Sequence, residues 1–321
     1  MSDLFANLAL GFSTALSPIN VLLALTGCLV GTLIGVLPGI GPVATIAMLL
    51  PITFHLDPVA ALIMLAGIYY GAQYGGSTTA ILVNMPGEAT AVVTTLDGYQ
   101  MARQGRAGAA LGAAALASFL AGTFATGVIV LIGPPLTRVA QAFGPPEYFA
   151  LMLFGLIASV VIAAGSVLKA IAMIFLGLLL GLVGADVETG VERFTFGIPQ
   201  LYDGIEFTTL AVGLYGIAEI LKNLAHPEAR SLVTEKVTGL LPSREDFRRG
   251  APAAIRGTLI GSALGILPGN GSVLAPFATY MTEKSISKTP REFGKGAIEG
   301  VAGPEAANNA AAQTSFIPLL T

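Results

Sequence analysis

"GVLPGIGPVATIAML", residues 35–49, places two prolines and three glycines inside an apolar run, and "GILPGNGSVLAPF", residues 265–277, repeats the pattern. An offset of 230 matches Gly31, Gly35, Leu37, Pro38, Gly39, Gly41 and Val43 with Gly261, Gly265, Leu267, Pro268, Gly269, Gly271 and Val273. Proline removes a backbone N–H and ends a helix, whereas glycine admits positive φ and close backbone approach. The chain therefore breaks two apolar helices at equivalent points.

What surrounds these breaks fixes the class of protein. Only 11% of the 321 residues are charged, against roughly 25% in soluble domains, and the mean hydropathy is +0.78. Residues 4–54, 58–87, 107–137, 148–168, 170–185 and 257–282 carry no charge. A bilayer core needs about 20 apolar residues per helix, so several of these stretches can cross a membrane. Too few polar residues remain to coat a soluble surface. The runs are continuous rather than alternating, which argues against a membrane β-barrel. No basic leader or cleavage site marks a signal peptide. Residues 1–17 place Leu4, Phe5, Leu8 and Phe12 at helical spacing and read as an interfacial helix. The single cysteine, Cys28, excludes an intrachain disulfide.

Basic residues orient the chain, because Lys- and Arg-rich loops stay in the cytoplasm. None precedes Arg103, and seven crowd into residues 222–256. Placing 86–106, Lys169 and 222–256 inside makes 107–133 run out, 148–168 return, 170–185 run out and 207–221 return. The proline-rich loop 134–146 and the acidic loop 186–206 then lie outside, and only Arg138 and Arg193 of the sixteen basic residues face that side. Residues 257–282 lie between Arg256 and Lys284. With both flanks cytoplasmic, this segment predicts a re-entrant hairpin with arms 257–267 and 272–282, each about 16 Å long at 1.5 Å per residue. The first copy, 21–54, is expected to enter from outside, with 58–85 crossing to the basic side. Residues 18–37 are also long enough to span completely.

Two copies of one element entering from opposite faces are the mark of an inverted-topology repeat. The expected fold is an all-α polytopic membrane protein with re-entrant helical hairpins and an incomplete second repeat. Residues 18–222 form the first repeat, 223–256 a cytoplasmic basic linker and 257–321 the start of the second. The tips offer unpaired N–H groups to an anion. Pro38, Gly39, Gly41, Gly269, Asn270 and Gly271 are therefore candidate substrate contacts, with backbone carbonyls near Gly39 and Gly269 suited to a sodium ion. A polar cluster follows each hairpin: Ser77, Thr78 and Thr79 after the first, with Gln73 and Asn84 nearby, and Asn308 and Asn309 after the second. Their neutral donors and acceptors suit carboxylates and ions, although such groups also serve as glue between helices. Glu88, Asp97 and Glu305 sit at segment ends as candidate coupling carboxylates, Asp97 reading rather as a solvated loop charge.

Enzymatic readings find no support. There is no GxxxxGK[ST] phosphate loop and no HExxH. "GGST" around Ser77 lacks a histidine or lysine base within the membrane. A channel also uses re-entrant loops, whereas paired hairpins favour alternating access.

"GTLIGVLPGIGPVATIAMLLPITF", "YYGAQYGGSTTAILVNMPGEATAVVTTLDGYQMARQGRAGAALG" and "GILPGNGSVLAPFATYMTEKSISKTPREFGKGAIEGVAGPEAANNAAAQTSFIPLLT" closely resemble the large membrane subunit, TctA, of tripartite tricarboxylate transporters. The resemblance covers essentially the whole chain. It implies a secondary transporter of the bacterial inner membrane that imports citrate-like or other organic carboxylates, with sodium or proton as coupling ion and no cofactor. It implies two partners, a small membrane subunit (TctB-like) and a periplasmic solute-binding protein (TctC-like). Family members run on beyond the equivalent of Thr321, so a further C-terminal part is expected.

Overall fold

The computed structural model describes residues 2–37, 41–141, 144–147, 149–150, 152–153, 156, 166–186, 189–206, 209–210, 213–217, 221, 237, 239–267 and 271–319. Its organising feature is a pair of glycine-lined helix contacts. Helix α2 (Pro18–Gly35) packs along α4 (Pro58–Val83), after α1 (Ser2–Ala15) and with α3 (Gly41–Thr53) between them in sequence. A β-carbon added at Gly27, Gly31 or Gly35 would overlap the carbonyl oxygens of Met64, Ile68 and Ala72, one turn after another. Gly67, Gly71 and Gly75 on α4 return the contact against Ala24, Cys28 and Thr32. The two backbones touch, which is how small residues hold helices together where lipid removes the hydrophobic drive.

The same device recurs in the second half. Helix α5 (Val92–Arg103) and the long α6 (Ala107–Gln141) lead to α7 (Val167–Gly181), and the chain later forms α8 (Arg244–Gly265), α9 (Gly271–Ile286), α10 (Glu299–Thr314) and the single turn α11 (Phe316–Leu319). Gly257, Gly261 and Gly265 on α8 meet the backbone of Gly303, Ala307 and Ala311 on α10. These three glycines are the offset-230 counterparts of Gly27, Gly31 and Gly35. Shared spacing thus produces shared packing.

Helix α10 is the hub. Its Ala302, Ala306 and Ala310 pack on Ala117, Ala121 and Ala125 of α6, and Ala307 and Ala311 pack on Ala275 of α9. The many Gly and Ala residues of this helix let several neighbours approach at once. The opposite faces are greasy and uncovered. Leu22, Leu25, Leu29 and Leu33 point away from the glycine face of α2, and α7 has no buried residue among those described. Among the described residues, two helices, Pro18–Gly35 and Ala107–Leu131, are long and apolar enough to cross a membrane.

Local signals set the ends. Ser17-Pro18 and Asp57-Pro58 start α2 and α4 with proline in the first turn, where its missing N–H costs nothing. Asn84 ends α4 in the left-handed region at φ 59°. Ser243 and Asp246 form a reciprocal capping box, which starts α8 well inside the stretch expected to be a basic linker. The resulting arm is therefore longer than the expected 257–267. Helix α6 continues through Pro134 and Pro135 rather than stopping near 133, and α7 begins at Val167, so Lys169 lies in its first turn rather than in a connecting turn. At the start of the 186–206 region, β1 (Gly184–Ala185) just before it pairs antiparallel with β2 (Glu192–Arg193) inside it, and an Arg193–Asp186 ion pair lies beside them. Most of the expected 148–168 span and about half of the expected 207–221 span lie outside the described residues.

Candidate functional site

The end of α2 and the start of α3 meet one loop. Residues 84–91, between α4 and α5, fold back so that Gly87 lies against Gly76 of α4 and the end of α2. A β-carbon on Gly87 would sit 2.6 Å from the Gly35 carbonyl oxygen. Gly41 opens α3 at φ +64°, a conformation that glycine adopts without penalty, and faces the Gly87 carbonyl across the gap. On the other side, α9 and α10 pack against residues 89–91. Gly271, the first residue of α9, is pressed on the last turn of α8 at Leu264.

Two carboxylates occupy this junction. Glu305 projects from the interior of α10 and is 1% exposed, and Glu88 is carried by the 84–91 loop and is 5% exposed. Ser77 donates to Glu305 Oε2 at 2.9 Å, and Thr94 of α5 donates to Oε1 at 2.5 Å. Thr90 donates to Glu88 Oε1 at 2.6 Å. Asn308, one turn beyond Glu305, lies beside Glu88 with both amide atoms buried and lacking a well-formed hydrogen bond. Among the described residues, no basic side chain pairs with either carboxylate. Both carboxylates are thus buried and held by neutral groups.

The sequence candidates separate here. Ser77 and Asn308 are brought to the same two carboxylates. Thr78 turns away and donates to the Tyr74 carbonyl, while Thr79 spends its hydroxyl on the Gly76 carbonyl of its own helix. Asn309 donates to Ser118 of α6 and to the Glu305 carbonyl, joining two helices. Gly41 lies beside Gly87 of the loop, and Gly271 lies against Leu264 at the end of α8. Pro38, Gly39, Pro268, Gly269 and Asn270 lie outside the described residues, and with them the carbonyl site suggested for sodium. Thr90 and Thr94 belong to the cluster but were not singled out in the sequence. Their signal was a threonine-rich stretch, "ATAVVTTLD", directly after Glu88.

Asp97 corrects the sequence reading. It is fully buried rather than solvated. Its Oδ1 accepts the N–H groups of Gly294, Gly296 and Ala297 at 2.8–2.9 Å, and Tyr280 donates to Oδ2 at 2.9 Å. The carboxylate thereby ties α5 to α9 and to the approach of α10. Beyond it, Arg256 forms a two-pronged pair with buried Glu283, at 2.6 and 2.7 Å. Arg249 bridges Glu299 and Glu292, and its guanidinium holds the exposed Glu292 carboxyl below the usual carboxylate range.

The family model described as the tripartite tricarboxylate transporter TctA family matches residues 21–321. A relative from Agrobacterium vitis, described as an uncharacterized 52.8 kDa protein in the TAR-I ttuC' 3'region, is 63% identical over 321 residues, covering 100% of this chain and 64% of the relative. A second Agrobacterium vitis relative, an uncharacterized protein in the TAR-II ttuC' 3'region, is 77% identical over 61 residues, 19% of this chain and 25% of its own length. The chain thus spans a little under two thirds of the longer match. No solved structure matches it.

Proposed function

From the premise that this chain belongs to the tripartite tricarboxylate transporter TctA family, we propose that it is the substrate-translocating membrane subunit of an ion-coupled importer of organic carboxylates. The reading is of a multi-pass protein of the bacterial inner membrane. A periplasmic solute-binding protein delivers substrate to it, and a small membrane subunit accompanies it. The observation that carries the reading is the junction itself, where two buried carboxylates, Glu88 on the 84–91 loop and Glu305 on α10, are held by neutral groups from α4, α5, α10 and the loop. Asn308 and the N–H groups at the two tips would hold substrate carboxylates, with Ser77 anchoring Glu305 beside them.

The matching glycine contacts, α2 on α4 and α8 on α10, support two copies of one unit, which we read as opposed in the membrane. Substrate bound between such copies is exposed to either face in turn as one moves against the other.

The test is uptake of labelled citrate and other di- and tricarboxylates into proteoliposomes. These hold the full-length protein with its small subunit, under an imposed sodium or proton gradient, with and without the binding protein. Gradient-driven uptake that requires the binding protein is expected. Downhill flux indifferent to both would overturn the reading in favour of a channel.

A further inference from the structure

We propose that Glu88 and Glu305 share one exchangeable proton, carried on Glu88, and that this proton is the coupling ion of the junction. The inference rests on the importer reading for its use, but its chemistry stands on the site alone. Two carboxylates are nearly inaccessible to water, and the partners that hold them are hydroxyls and an amide. Burying one unpaired carboxylate is costly, and two neighbouring ones cannot both stay ionised without a cation.

The hydrogen bonds assign the proton. Glu305 accepts a hydroxyl on each oxygen, which suits the ionised form. Glu88 accepts Thr90 and faces the unsatisfied amide of Asn308. An amide supplies both a donor and an acceptor. Its oxygen can take the O–H of protonated Glu88, and its nitrogen can serve the ionised form. A residue able to stabilise both states is what an exchanging proton requires, and it explains why a buried Asn308 is left otherwise unpaired.

The neighbouring titratable groups do not neutralise the pair. Tyr69 and Tyr74 of α4 lie within electrostatic reach of Glu88 and Glu305, respectively. Asp97 of α5 is held by loop 294–297, Glu283 of α9 by Arg256, and Tyr280 of α9 donates to Asp97. Arg103 stands at the far end of α5. Helix α2 offers only Cys28, and α3 has no titratable residue. An anionic substrate entering beside Glu305 would be repelled by a second ionised carboxylate. Protonation of Glu88 removes that repulsion, which links proton and substrate binding.

The test is infrared difference spectroscopy of the purified full-length protein between pH 5 and pH 9, without substrate. A carboxylic C=O band lost with rising pH, present in the parent and absent from Glu88→Gln, is expected. Glu305→Gln should move its midpoint to lower pH by removing the neighbouring negative charge. If Glu88→Gln does not fold, Asn308→Ala is read instead, and the band should shift as its hydrogen-bond partner is lost. A spectrum with no such band, or one unchanged in all three variants, overturns the proposal. Loss of the band on adding sodium chloride at constant pH also overturns it and names sodium as the occupant. Because the readout needs no transport, failed uptake of all the carboxylates tested would refute the importer reading while leaving this result intact.

Discussion

Replacing Gly261 with alanine is expected to destabilise the protein by about 1–3 kcal/mol, the range for overpacking a tight contact. A β-carbon there would lie 2.7 Å from the Cα of Ala307 and 2.9 Å from its carbonyl carbon. Carbon atoms settle at roughly 3.5–4.0 Å, so α8 and α10 must part by about 1 Å. The obstructing atoms belong to the backbone of the most buried helix, and no rotamer change relieves them. Alanine's intrinsic advantage over glycine, about 1 kcal/mol in a helix, offsets only part of this. Gly31 makes the equivalent contact in the first half, 2.8 Å from the Cα of Ile68. Gly122 and Gly127 on α6 have nothing within 4 Å, so alanine there keeps the propensity gain alone. Thermal melting of the full-length protein in detergent, read from the monodisperse fraction, compares the four variants. Gly31→Ala and Gly261→Ala should melt several degrees below the parent, at about 2–4 °C per kcal/mol, and Gly122→Ala and Gly127→Ala at or above it. Four indistinguishable melting curves would refute the idea that backbone contact at these glycines holds the two helix pairs together.

Asp97→Ala should release the stretch between α9 and α10. It leaves three N–H groups and the Tyr280 hydroxyl without their acceptor, at about 1–3 kcal/mol for each group that stays buried, and limited proteolysis should then cut between residues 287 and 298 where the parent resists. Arg256→Ala strands buried Glu283 and should lower stability by about 2–3 kcal/mol, with the double change Arg256→Ala, Glu283→Gln recovering part of the loss in the same melting assay. Single cysteines at Pro58 and Ser287, in a background lacking Cys28, should react with an impermeant maleimide from opposite faces of oriented vesicles. Reaction from one face at both positions removes the opposed orientation of the two halves.

The sequence by itself determined the class of the protein and named residues of a candidate site. Uncharged runs in a chain with so few charges require a membrane, because nothing else covers that surface. The offset-230 repeat required that Gly31 and Gly261 meet equivalent surroundings, and one-turn glycine spacing allows little besides a backbone contact. Ser77 and Asn308 were legible as polar residues in apolar surroundings, which must find a partner or a ligand. Tertiary structure alone decided which of their neighbours share the site. Thr78, Thr79 and Asn309 carry the same chemistry a residue or two away, but a helix turns about 100° per residue, so adjacent side chains face different partners. Asp97 looked like a loop charge because its acceptors' partners, Gly294, Gly296 and Ala297, are some 200 residues away in sequence. The pairing of Glu88 with Glu305 is equally non-local. It arises because the 84–91 loop folds over Gly76 and α10 packs into the space beside it, a coincidence of two surfaces that no local pattern encodes.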